Sequence, residues 1–399
     1  MREMKDSGIE WIGEIPIEWN VTKMKYFVKI SSGEIISKEE YTKNGEFPVI
    51  GSNGEIGKVN KYNNCESVIT TGRVGTVGTI HIVEKSWITD NALIIKNQNI
   101  EQKYLSYVIV NFDFKDMLSG TAQPLITATK LKNQYISCPS YEEQQKISAY
   151  LDKKCAEIDS LIPDIQQQIE ILEKYKRSII TKAVTKGLDP DVEMRDSEIE
   201  WIGNVPENWE HNTVLNCIDF EGGSQPALNY FIGEEKEGYI RLIQNRDYKT
   251  DAYKVFVPIS MVSKFCDESD VMIGRYGPPL FVLHRGLKGA YNVALMKAIP
   301  KLLDREYMAY YLQNYTLIQY IESFSKRTAG QSGVNTDILK KYPIYVPPMY
   351  EQKQISDYLD KKCEEIDSII SEKKQQIKTI EEYKKSLIFE YVTGKKEVN

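Results

Sequence analysis

Side chains able to do chemistry are sparse in this 399-residue chain. Its three histidines, His81, His211 and His284, stand far apart, and none of its six cysteines (Cys65, Cys138, Cys155, Cys217, Cys266, Cys363) forms a Cys-x-x-Cys pair. Structural zinc needs closely spaced Cys or His pairs, so no metal is expected, and the cysteines read as reduced thiols. No Gly-x-x-x-x-Gly-Lys-Ser/Thr loop is present to cradle a nucleotide's phosphates, which argues against ATP hydrolysis. The two Pro-Pro pairs read Gly-Pro-Pro-Leu at Pro278 and Val-Pro-Pro-Met at Pro347, unlike the Asn/Asp-Pro-Pro-Tyr/Phe signature of an amino-methyltransferase. No catalytic residue and no cofactor are expected. What remains is binding chemistry, carried by arginines and amides in glycine-rich turns such as Thr71-Gly72-Arg73-Val74-Gly75 and Ile273-Gly274-Arg275-Tyr276-Gly277.

The elements that must position those turns occur in duplicate. Asp6 to Trp19 reads Asp-Ser-Gly-Ile-Glu-Trp-Ile-Gly-Glu-Ile-Pro-Ile-Glu-Trp, and a near copy returns at Asp196 to Trp209, 190 residues on. Ile147 to Asp159 recurs as Ile355 to Asp367 at an offset of 208, so the second copy is 18 residues longer between its constant ends. Gln123, Leu131 and Pro139 align with Gln331, Leu339 and Pro347 at that same offset. Two segments that differ in length and sequence are thus held in constant brackets, implying one fold presenting two surfaces. After the second helical stretch the chain reads Val392-Thr393-Gly394-Lys395-Lys396, matching the start of the internal connector at Val184, and its own beginning through Trp11 supplies the remainder. The expectation is a closed pseudo-two-fold repeat with its termini close together; a tandem duplication with free ends is the alternative.

Residues 144–183 carry apolar side chains at Ile147, Leu151, Cys155, Ile158, Ile162, Ile165, Ile169, Leu172, Ile179 and Ala183, with gaps alternating four and three from Leu151 to Leu172. That is a heptad seam. The second copy repeats it through Ile355, Leu359, Cys363, Ile366, Ile370, Ile377, Ile380 and Leu387, with Lys373 interrupting. Two helices of about 40 residues, roughly 60 Å each, are expected to pack antiparallel. Pro163 should kink the first or divide it, because proline lacks the amide proton and crowds the preceding turn.

At 399 residues the chain exceeds the size of one hydrophobic core, so two or more domains are the default. No apolar run approaches the roughly 18 to 20 residues of a membrane span, and no signal peptide follows Met1, so a cytoplasmic location is expected. The net charge of −6 argues against a small stand-alone DNA binder, since phosphate neutralisation needs Lys and Arg. It leaves room for a protein that shares its DNA grip with a partner.

The paired entries at Asp6 and Asp196, the Tyr-Leu-Asp-Lys-Lys-Cys-x-Glu-Ile-Asp helices at Tyr150 and Tyr358, the hairpins around Arg73 and Arg275 and the exits near Pro139 and Pro347 resemble, in order and over essentially the whole chain, the specificity subunit of type I restriction-modification systems. The resemblance implies an α/β chain with two target-recognition domains separated by two long helices packed as an antiparallel coiled coil. Each domain would read half of a split double-stranded DNA sequence. It implies two adenine-N6 methyltransferase subunits as partners, with restriction and translocase subunits in the full complex, and no catalysis in this chain. On that basis the chain divides into residues 1–19 (part of a split connector), 20–139 (first recognition domain), 140–185 (first helix), 186–209 (connector), 210–347 (second recognition domain), 348–392 (second helix) and 393–399 (tail). A coiled-coil scaffold with two protein-binding heads, or an enzyme with an unrecognised site, are the rival readings.

Within this framework Asn53, Thr71 and Arg73 mark the first domain's turns. The recurrence of Arg73 and Arg275 in both domains favours phosphate positioning or turn architecture over base reading. Arg241, Asn245 and Arg246 lie in a non-repeated part and are the better candidates for reading bases, arginine being able to donate bidentate bonds to guanine. Gln123 and Gln331 occupy matched loops, where reading adenine and stabilising the loop are equal alternatives; Lys326 and Arg327 beside the second loop suit a phosphate grip. Trp11, Trp19, Trp201 and Trp209 sit in the constant brackets, which favours packing over base stacking.

Overall fold

The computed structural model describes residues 2–398, apart from 76, 116, 119–124, 278, 325 and 329–330; of 326–328, 331 and 332 it describes the backbone alone. The fold is mixed α/β. The chain forms two compact units, one of Met1–Gln166 with Lys374–Asn399, the other of Gln167–Lys373. Each therefore receives part of both long helices, Tyr141–Lys186 and Met349–Val392.

In the first unit the strands Val28–Ser32, Ala92–Asn97, Val68–Gly72 and Ile80–Val83 form an antiparallel sheet in that order. Successive side chains of a strand point to opposite faces. Accordingly Ile69, Leu93 and Ile95 enter the main core with the helix Gln102–Val110, while Val68, Ala92 and Ile94 meet Ile50 and Ile88. Ile50 and Ile88 belong to a three-stranded sheet in which Phe47–Gly51 pairs antiparallel with Gly54–Val59 and parallel with Trp87–Ile88. The second unit repeats the plan. Ile218–Gly222, Leu295–Pro300, Val271–Gly274 and Leu283–His284 form the sheet, and Tyr239–Ile243 pairs parallel with Gly289–Tyr291 in its neighbour.

Ser140 caps the first long helix: its hydroxyl accepts from the Glu143 amide (3.2 Å), and Glu142 and Glu143 place negative charge at the positive end of the helix dipole. Both long helices end where a glycine takes the left-handed conformation, Gly187 at φ +74° and Gly394 at φ +72°. In the first unit Tyr150 packs on Tyr391 (4.6 Å between centroids) and Lys384 bonds Asp159 (2.6 Å); in the second Lys176 bonds Asp367 (2.6 Å). In the first unit partner numbers rise on one helix as they fall on the other, so the two long helices run antiparallel. The seam is most buried towards its ends, at Ile147, Leu151, Cys155 and Ile158 and at Ile355, Leu359, Cys363 and Ile366. Pro163 does not divide the first helix, which runs through it as one element. Losing one amide bond costs about 3 kcal/mol, less than the packing of Ile158 and its neighbours against the core supplies.

The expected proximity of the termini is present in the first unit. Met4–Asp6 pairs with Glu14–Pro16, and the C-terminal tail docks on this hairpin: Lys395 Nζ donates to the Ile12 carbonyl (2.6 Å) and Arg2 pairs with Glu397 (3.4 Å). In the second unit Met194–Asp196 pairs with Asn204–Pro206, and Lys186 Nζ donates to the Ile202 carbonyl (3.1 Å). The same clasp therefore closes both units, through the internal connector in one and through the two termini in the other. Trp19 and Trp209 are each 1% exposed, and their indole N–H groups donate to Glu143 (2.9 Å) and Glu351 (3.0 Å) of the long helices. Trp11 packs on Phe112, whereas Trp201 is 51% exposed and stacks on Tyr320.

Candidate nucleic-acid interface

In the first unit the strand Val68–Gly72 ends at Arg73, whose amide donates to the Asn91 carbonyl (2.9 Å) and whose carbonyl accepts from the Ile126 amide (3.0 Å). Arg73 thereby ties the strand end to Ile126. Its Nη1 donates to Ser32 Oγ (3.2 Å), and its Nε is buried without a partner among the described residues. Thr71 is 1% exposed, and its hydroxyl is likewise unpartnered. Asn53 is exposed in the turn before Gly54, with Oδ1 accepting from the Thr79 hydroxyl (3.3 Å). Gly54 sits at φ +100°, and a Cβ there would lie 3.2 Å from the His81 ring, so only glycine lets this turn close over the histidine. Gln123 lies outside the described residues.

The second unit rebuilds this arrangement. Arg275 donates its amide to Ala294 (2.9 Å) and accepts from Val334 (2.9 Å), and its Nη1 lies 3.4 Å from the Val293 carbonyl. Its Nε is again buried and unpartnered, and the guanidinium lies 5.6 Å from the Tyr276 ring centroid. Asn245 packs against the strand end, its Oδ1 2.9 Å from where a Cβ on Gly274 would lie, and 2.7 Å from His284 Nε2. The backbones of Lys326–Thr328 and Gln331–Gly333 pair antiparallel, and Tyr276 joins them by a bridge to Gly333. The stations of Lys326, Arg327 and Gln331 are thus beside Arg275. Arg246 is exposed, 5.4 Å from the Tyr253 centroid. Arg241 is more committed: its side chain is 15% exposed and pairs with Asp251 (3.0 Å), whose carboxyl Lys254 and Arg241 hold below its usual range.

The sequence reading passed over two residues here. His81 lies opposite Thr70 and His284 opposite Met272, equivalent stations on the edge strand of each sheet. Each imidazole faces the turn that carries the unit's asparagine. The faint signal was their similar distance beyond Arg73 and Arg275, uninformative without the strand pairing. His284 stacks on Tyr248 (4.3 Å, 10° between planes), and burial, reinforced by Lys249, lowers its pKa and favours the neutral ring.

Each unit thus presents a strand end with an arginine, an edge-strand histidine and a turn with an exposed or half-buried asparagine. Hydrogen-bond donors near glycine-permitted turns suit phosphates and base edges. Among the described residues no group of three or more His, Cys, Asp or Glu side chains could hold a metal, and no helix is long and apolar enough to cross a membrane.

The family model for the type I restriction modification DNA specificity domain matches residues 16–171 and 266–379. The type I restriction enzyme MjaVIII specificity subunit of Methanocaldococcus jannaschii is 24% identical over 419 residues, covering 96% of this chain and 93% of that protein. The MjaIX specificity subunit of the same organism is 24% identical over 388 residues, 84% of this chain and 85% of that one. Among solved structures, a chain described under "complex assembly and conformational transition of the type I R-M system" superposes over 95% of this chain and 98% of its own, with TM-score 0.68 and 14% identity, a likeness of fold.

Proposed function

Because the chain belongs to the type I restriction-modification DNA specificity family, whose members are specificity subunits without catalysis of their own, we propose that its two units read the two halves of one bipartite DNA target. Residues 20–139 and 210–347 are the reading domains, and the helices at 140–185 and 348–392 set the spacer and dock two adenine-N6 methyltransferase subunits. Restriction and translocase subunits complete the assembly. The observation that carries this reading is the reuse of one frame with different readers: Arg73 and Arg275 make matching backbone bonds, while the turns facing His81 and His284 carry Asn53-Gly54 in one unit and Asn245-Arg246 in the other. Constant positions suit phosphates, which every sequence shares; variable ones suit bases.

Scale is compatible. Half-sites on one face of B-DNA lie about 34 Å apart per turn, and a helix the length of Tyr141–Lys186 extends about 69 Å at 1.5 Å per residue. The acidic net charge fits a subunit whose partners supply much of the positive field around the DNA. The bound methyltransferases would flip the target adenines out of the stack.

The test is to express the chain with its neighbouring methyltransferase in a methylation-free bacterial host and map modified adenines genome-wide. A split motif, methylated on opposite strands of its halves, is expected. A stable, active complex that leaves no such motif would favour a protein-binding scaffold. Exchanging residues 20–139 for the matching domain of a relative should change one half of the motif only; a change in both halves would contradict separate reading.

A further inference from the structure

The second unit departs from the repeat on one face of its long helix. Lys174, Arg177 and Thr181 lie three and four residues apart and so share a face of the helix Tyr141–Lys186, with Lys182 beside them. They form one wall of a groove of about 600 Å³ whose other wall carries Trp201 and Tyr315, 51% and 44% exposed. Among the described residues the three cations have no ion pair, and no carboxylate lines the groove. The Arg177 guanidinium lies 5.9 Å from the Tyr315 centroid, and the Tyr315 amide donates to the Thr181 hydroxyl (3.0 Å). At the equivalent stations of the other long helix, 208 residues on, stand Glu382, Lys385, Phe389 and Glu390. Phe389, with Lys395 Nζ 4.3 Å from its centroid, occupies volume that the smaller Thr181 leaves open. Glu390 pairs with Lys396 (2.8 Å), and Trp11, the counterpart of Trp201, packs edge-on against Phe112. A frame that repeats its clasp thus reverses charge at two of these four stations and enlarges a third.

We propose that this groove is a docking site for one acidic segment of a partner protein, its carboxylates meeting Lys174, Arg177 and Lys182 and an apolar side chain entering between Trp201 and Tyr315. Charge selects the occupant: the chain carries −6 overall, so three unpaired cations around one hollow are a local exception that draws a negative partner there and nowhere else on this face. The aromatic wall favours a peptide over duplex DNA, whose bases are stacked on one another and offer Trp201 no free face. An amphipathic segment that brings carboxylates and an apolar anchor together satisfies both features at once. Because the first unit builds this face with Phe389 and two glutamates, one segment binds per chain, in contrast to the methyltransferase subunits proposed above, which dock as a pair. The inference does not depend on the bipartite reading of DNA.

The experiment titrates the full-length chain into a fluorescein-labelled peptide of glutamates with a phenylalanine at every fourth position and follows anisotropy. The same peptide with glutamine for glutamate, and a random-sequence DNA duplex, serve as comparisons. The acidic peptide should saturate at one per chain, and the glutamine peptide should bind at least about tenfold more weakly. Lys174→Glu and Lys182→Glu, each placing the other helix's residue at an exposed station, should each weaken binding about tenfold, because an attraction becomes a repulsion of similar size. Trp201→Ala should weaken it about tenfold as well. Thr181→Phe, which fills the groove as Phe389 does, should abolish binding. Should Thr181→Phe fail to fold, the two lysine reversals and Trp201→Ala decide. The proposal is overturned if the acidic peptide does not saturate, if the glutamine peptide binds equally well, or if two peptides bind per chain. It is overturned too if the duplex binds more tightly than the peptide and loses as much to Lys182→Glu, which would make this a nucleic-acid face.

Discussion

Arg73 and Arg275 stand out in the sequence because they recur, and the structure shows why a recurring residue fits there: in each unit its backbone ties the strand end to a segment farther along the chain, at Ile126 and at Val334. Each guanidinium keeps one buried N–H without a partner among the described residues, a cost that a phosphate oxygen would remove. In the methyltransferase complex, Arg73→Ala or Arg275→Ala should therefore weaken binding to target and non-target DNA by similar factors and reduce the salt slope by about one. Fluorescence anisotropy across a salt series measures both, and an altered motif would contradict a phosphate role. His81 and His284 were illegible for the converse reason. Their partners, Gly54 and Asn245, are set by pairings between strands distant in sequence, which no local pattern encodes. A second consequence concerns pH. Burial pushes the Tyr342 hydroxyl up to about 12 and raises those of Tyr104 and Tyr307 as well. Unfolded tyrosines ionise near pH 10, so above that pH the unfolded chain holds fewer protons than the folded one and stability falls as pH rises. Urea midpoints should drop from about pH 10 upward, and less steeply in Tyr342→Phe.

The long helices were the most legible elements, because a heptad seam is a local signal and the glycines that end it follow at once. Their capping by the globular parts was not. Tyr104 donates its hydroxyl to the Val392 carbonyl (3.2 Å) in the first unit, and Tyr307 donates to Val184 (3.2 Å) in the second, so a buried tyrosine satisfies a last-turn carbonyl of one long helix in each. Beside them Tyr107 donates to Asp152 (2.9 Å) and Tyr310 to Asp360 (2.6 Å) on the other helix. These four bonds fasten the globular part of each unit to both long helices in the same way twice over. The strands resisted reading because most are short, from two to six residues, and several pair parallel or across long separations. Removing the hydroxyl in Tyr307→Phe leaves a buried carbonyl unpaired and should destabilise by about 1–3 kcal/mol. Leu151→Ala or Leu359→Ala, each at a fully buried seam position, should cost roughly 2–5 kcal/mol. Denaturant midpoints would show both, and a Tyr307→Phe protein as stable as the wild type would mean that the bond to Val184 contributes little.

At the level of the whole molecule, the repeat makes the position of the break in the chain a matter of indifference to the contacts. Gly394 packs where its added Cβ would be 2.4 Å from Pro16 and 3.0 Å from Trp19, as Gly187 lies near Trp209, at 3.5 Å. Lys395 and Lys186 then reach equivalent carbonyls, at Ile12 and Ile202. If each unit depends on such a clasp and on nothing else about the connector, a protein with its termini joined by a short linker and reopened among the exposed residues Leu188 to Asp191 should fold with the same contacts. With the methyltransferase it should give the unaltered split motif. Deleting 394–399 from the original chain should act differently, because it removes Gly394 and Lys395 from the first unit and leaves the second clasp whole. On the proposed bipartite reading, the half assigned to residues 20–139 should then lose fidelity before the other half does. A permuted chain that folds but reads a changed motif, or a deletion that weakens both halves equally, would mean that the connectors set more than the closure of each unit.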